Sequence, residues 1–116
     1  MIKVMAFLKR RPGMSRQEFM HHWKDVHAPM GHGVPGVRRY LLHEPVEALG
    51  RADIPDLDLE FDGIAECWFD DLDAMKRSHA SPEAQAWFAD GALFIGLSRT
   101  LILDESVVIP NPARPV

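Results

Sequence analysis

The chain has 116 residues, of which 47% are apolar and 26% charged, with a formal charge of −4. This is one domain's worth of ordinary globular composition, able to bury a core without staples. The acidic balance excludes the basic face of a nucleic-acid binder, and Lys9-Arg10-Arg11 and Arg38-Arg39 are too short and too separated to supply one.

Residues 2–9 form a continuous apolar run with β-branched and aromatic members, which predicts a buried strand. Apolar first and basic after, this end of the chain has the reverse order of a secretory signal. Arg11-Pro12-Gly13 breaks the strand. Ser15 and Glu18 have the spacing of a capping box, so a helix is predicted from about 16. It should stop before Pro29, because the residue ahead of a proline avoids the α region. Gly31, Gly33, Pro35 and Gly36 make the connection to a second strand over 37–43. Residues 44–60 are a long acidic, proline-bearing loop, a candidate lid or partner contact.

Residues 62–69 predict the third strand and Asp70 to Ala80 a helix. Ser81-Pro82-Glu83 is a second start signal, with Ser as cap and Pro at the first helical position. It opens an amphipathic segment around Trp87, Phe88 and Phe94. Residues 97–109 read as a long fourth strand. The expected domain is 1–110, with an extended tail over 111–116. The order βαββαβ is the ferredoxin-like α+β pattern, with helices on one face of an antiparallel sheet. Met5, Phe7, Trp68, Leu101 and Leu103 suggest that both sheet faces are apolar. A second copy would cover the free face, so a homodimer is expected.

Cys67, the one cysteine, excludes an intramolecular disulfide and fits a reducing cytoplasm. No apolar run reaches the roughly 18 residues of a membrane span, so neither membrane nor nucleic acid is an expected partner. Glycine-rich phosphate loops are absent in the right context.

Phe19, Trp23 and His27 recur every four residues and so share one flank of the predicted helix. This sets a titratable imidazole at the end of an aromatic stripe, where it could act as acid or base or simply bond a helix-terminal carbonyl. Tyr40, the one tyrosine, could hold a substrate oxygen or only pack its ring. A lone strand cysteine is commonly a small apolar residue. Glu66 and Cys67 must face opposite sides of the strand. His22 and His27, five apart, would sit about 140° apart on an α-helix, which argues against a metal pair, and His21 and His22 read as rim residues. His32 and His79 could approach a cavity, but spacing does not decide it.

The pattern Phe19…Trp23…His27-Ala28-Pro29…Pro35-Gly36…Tyr40, followed by residues 62–69 and by Ser81-Pro82-Glu83, resembles the EthD family of dimeric α+β barrels. Within it, GIAECWF and AWFADGALFIG are most similar to the 4-methylmuconolactone methylisomerase branch. The resemblance implies a cofactor-independent isomerase or lyase, or a cyclase or decarboxylase, acting on a small hydrophobic lactone, ketone or phenol. It places catalytic roles on His27 and Tyr40 and a lining role on Cys67, with Trp23, Phe7 and Trp68 completing the pocket. In the long loop, Asp53 stands where that branch carries a pocket histidine, so the resemblance implies the class and not the same reaction. The alternatives are a non-catalytic accessory protein that binds a hydrophobic intermediate and a haem- or metal-assisted oxidoreductase.

Overall fold

The computed structural model describes residues 1–111; the remainder of the predicted tail, 112–116, lies outside the described residues. Strand β1 (Ile2–Arg10) is central. It pairs antiparallel with β3 (Gly63–Phe69) on one side and β4 (Ile95–Leu103) on the other, while β2 (Arg39–His43) pairs antiparallel with β3. The strand order is β2-β3-β1-β4, the ferredoxin-like α+β sheet that the sequence predicts. No helix of the described residues is long and apolar enough to cross a membrane.

The start signals act as read. Ser15 caps α1 (Arg16–His21) through the Glu18 amide, and Glu18 returns the bond to the Ser15 amide. Asp71 caps α3 (Leu72–His79) and Ser81 caps α4 (Pro82–Gly91).

Two boundaries differ from the reading. The first helix does not stop before Pro29. After α1 it widens into a π-helical turn over His22–His27, then resumes as α2 (Ala28–Met30) and ends in a short 3₁₀ turn, Gly31–Gly33. The Ala28 amide reaches back five residues to the Trp23 carbonyl. That wider turn gives the Pro29 ring room where a regular helix would set it against the carbonyl four residues back. The fourth strand ends at Leu103 and not at 109. Leu103 pairs with Lys3, near the start of β1, and no strand remains for the later residues to pair with.

Register assigns the two sheet faces. Val4, Ala6 and Leu8 of β1 share a face with Tyr40, Cys67, Ala65 and Phe69, and the helices pack on it. The core is built there from Leu8, Phe19, Trp23 and Phe94, from Val4, Phe69 and Met75, and from Val34, Ala84 and Trp87. Trp23 packs close against the sheet because Gly63 has no side chain: a Cβ there would stand 2.3 Å from the indole. The opposite face carries Met5, Phe7, Leu41, Ile64, Trp68, Leu101 and Leu103, with no helix over it.

Candidate functional site

Between sheet and helices lies a cavity of about 630 Å³, lined by residues of β1, β2, β3, β4, α3 and α4 and by the π turn. Its size is within the usual range for small-molecule sites. Its wall is mostly apolar, and its polar groups are few and identifiable.

His27 is at the end of the π turn, with its side chain 11% exposed and its ring stacked 5.4 Å from Trp87. Nδ1 lies 2.8 Å from Asp90 Oδ2, a carboxylate projected from α4. As a neutral ring His27 donates Nδ1–H to that oxygen, which leaves Nε2 as the nitrogen for a ligand. Burial pushes the imidazole's pKa down; the hydrogen bond and charge of Asp90 oppose this without overcoming it. His27 is therefore a neutral base near pH 7. The pKa of Asp90 is also lowered, but for the opposite reason. Burial raises its pKa, but hydrogen bonds from His27 and His22 outweigh burial and hold it below the ordinary carboxylate value.

Tyr40 sits on β2 beside Cys67 on β3, and its ring meets Trp87 edge-on at 5.0 Å. Burial pushes the phenol's pKa well up, the neighbouring Cys67 adds to the rise and the nearby Trp23 indole opposes it without overcoming it, so Tyr40 stays a hydrogen-bond donor. Its hydroxyl and the Trp23 indole N–H are both buried and have no hydrogen-bond partner in the described structure. Each such orphan costs free energy unless a water or a ligand oxygen meets it. Gly31 lets this corner close: a Cβ there would come 2.9 Å from the Tyr40 ring. Burial, with Glu66 adding to it, pushes the Cys67 thiol up to about 12. That thiol lines the cavity as an uncharged group and is no thiolate nucleophile.

The structure thus brings together His27, Tyr40, Cys67 and Trp23. It does not bring Phe7, Trp68 or Asp53 to them. Phe7 and Trp68 alternate onto the other face of the sheet, where Trp68 lies between Lys3, 4.4 Å from its ring centre, and Arg39 at 5.0 Å. The strand period of two dictates this once Cys67 faces the helices. Asp53 is exposed in the long loop and is paired with Arg51 at 2.7 Å. His32 is exposed. His79 does line the cavity, with its ring set edge-on to Phe69 and Phe88 and its pKa lowered by burial.

From the sequence, Asp90 is not singled out, Trp87 is read only as part of an amphipathic segment and His22 only as a rim residue. One signal was present: Asp90 follows Trp87 by three residues and so shares the inward face of α4. The other was hidden. The π turn, with its five-residue repeat, replaces the 140° or so expected between His22 and His27 with a common face, and both rings reach Asp90. Among the described residues no group of three or more His, Cys, Asp or Glu side chains is arranged to hold a metal ion.

Comparison with solved structures gives three informative relatives. An ethyl tert-butyl ether degradation (EthD) family protein from Bacillus halodurans C-125 is 25% identical, with a TM-score of 0.74 over 91% of this chain and 99% of that one. A dimeric protein of unknown function and ferredoxin-like fold from Bacteroides fragilis is 14% identical, with a TM-score of 0.63 over 90% and 95%. SnoaB, a cofactor-independent oxygenase from Streptomyces nogalater, is 14% identical, with a TM-score of 0.62 over 95% and 97%. No curated protein matches the sequence. The pattern of the EthD domain matches residues 11–98, most of the fold, with His27, Tyr40, Cys67 and Asp90 inside the match, and the chain belongs to the EthD family.

Proposed function

We propose that the protein is a cofactor-independent acid/base catalyst of a small, mostly apolar molecule that carries an acidic C–H or phenolic O–H next to a carbonyl or ring oxygen. The observation that carries the reading is the neutral His27 ring on the cavity wall, fixed by Asp90 with Nε2 left over. Nε2 would take the proton, and the imidazolium formed would stand against the Asp90 carboxylate. The Tyr40 hydroxyl and the Trp23 N–H would donate to the oxygen on which negative charge develops. Return of the proton from His27 to another atom of the same molecule makes the net reaction an isomerisation, as in the methylmuconolactone methylisomerase type; a cyclase would use the same base to close a ring, and a decarboxylase would return the proton to the carbon that has lost carbon dioxide. A fold relative described as a cofactor-independent oxygenase supports the view that such a cavity can do chemistry unaided.

The test begins with a panel of small lactones, cyclic ketones and phenols, screened for binding and then for turnover. For any compound turned over, His27→Gln should lower the rate at least about a hundredfold, the loss typical of a general acid/base group, while binding persists. The wild-type rate should fall on the acid side, below about pH 6.5, because the base must be uncharged. Undiminished turnover in the His27 variant would remove the proposal. Binding across the panel with no turnover would favour the accessory reading, which the same apolar cavity supports.

A further inference from the structure

Asp90 serves two imidazoles. His27 Nδ1 lies 2.8 Å from its Oδ2, and His22 Nε2 lies 3.1 Å from the same oxygen and 3.2 Å from Oδ1. The three side chains grade outward, with His27 11% exposed, Asp90 14% and His22 24%. His22 is held in place, its ring stacked 4.7 Å from Phe94, and the edge of that same phenylalanine meets His27 at 5.0 Å. The arrangement exists because the π turn carries the two histidines, five residues apart, to one side of the helix facing α4.

We infer that His22 is a positioning residue that sets the basicity of His27 through their shared carboxylate. The inference deepens the acid/base reading above but concerns a residue outside the cavity, since His22 does not line it. With His22 uncharged, the whole negative charge of Asp90 supports a proton on His27. A proton on His22 from bulk water divides that carboxylate between two cations and opposes the second proton on His27. The other titratable groups of the cavity do not compete for Asp90: Tyr40 and Cys67 remain protonated, and His79, its pKa lowered by burial, is set against Phe69 and Phe88. No other charged group is hydrogen-bonded to Asp90 among the described residues. The base in the dry cavity is thereby wired to the acidity of the water outside it.

The experiment needs no substrate. Side-chain nitrogen NMR of the wild type, followed from pH 8 to 4, reads the titration of each histidine ring. His22 and His27 should titrate as a coupled pair, each curve showing the other's step. His22→Gln should turn the His27 curve into a single step and move its midpoint up. His22→Lys, which places a lasting positive charge beside Asp90, should leave it below the His22→Gln midpoint and no higher than that of the wild type. A merely structural role for His22 cannot order two variants by charge when both keep the native amide spectrum. Equal His27 midpoints in the two variants, or a higher one in His22→Lys, overturns the inference and leaves His27 standing as a base. A wild-type His27 midpoint above 7 would instead remove the neutral-base reading and leave the coupling intact.

Discussion

The indole N–H of Trp87 donates to the backbone carbonyl of His27 at 3.1 Å, while the two rings stack at an interplanar angle of 16°. One side chain of α4 therefore fixes both the backbone and the ring of the residue that would do the chemistry. Trp87→Phe keeps a ring for stacking but leaves a buried carbonyl without its donor. It should cost about 1–3 kcal/mol in urea denaturation. A variant as stable as the wild type would show that water or another amide replaces the bond.

Gly63→Ala should be among the most damaging small substitutions in the chain. The added methyl would overlap the Trp23 indole, and that ring is fully buried between helix and sheet. Overpacking of a core usually costs about 1–3 kcal/mol. Here the expectation is the upper end of that range, with a shift in tryptophan emission as the indole is displaced. An unchanged denaturation midpoint would mean that the helix layer lifts freely from the sheet.

Stability should fall as pH drops through about 6.5, before any carboxylate titrates. Burial lowers the folded-state pKa of both His27 and His79, so the unfolded chain takes up protons first and acid favours it. A second loss is expected at lower pH, where Glu66 and Asp90, held below their ordinary values in the folded state, are forced to protonate. Thermal midpoints measured at pH 7.5, 5.5 and 4 should form this two-stage decline. His79→Gln should weaken the first stage without touching the second.

The uncovered sheet face should be where two copies meet, as expected from its apolar side chains and from fold relatives described as dimeric. Leu101 projects from that face opposite Met5. Leu101→Glu would place a charge in the middle of such an interface and should turn a dimer into a monomer by light scattering. A wild-type chain that is monomeric at micromolar concentration would refute this placement.

The fold was legible because its signals are local. Ser15 with Glu18, Ser81 with Pro82 and the apolar strand runs each act within a few residues, and they specify the element order. That His27 and Tyr40 border one cavity was legible through the family pattern. The rest failed where a signal depends on the third dimension or on an irregular helix. Phe7 and Trp68 are aromatic strand residues like any others, and only the register that turns Cys67 inward assigns them to the far face. Asp90 waits on α4, 63 residues from His27, and nothing local joins them. The carboxylate that His22 shares with His27 was hidden because an angle of about 140° between them holds only at 3.6 residues per turn, and the chain adopts a wider turn there.

The helices leave the inner side of β4 uncovered. Ser98 and Thr100 share the face of Leu8 and Ala6, yet both are exposed while bordering the cavity. A guest molecule would therefore slip in sideways, along this outer strand, without any segment having to lift. Bulkier residues at these two positions would narrow the doorway and slow arrival, while the chemistry deeper inside kept its own rate.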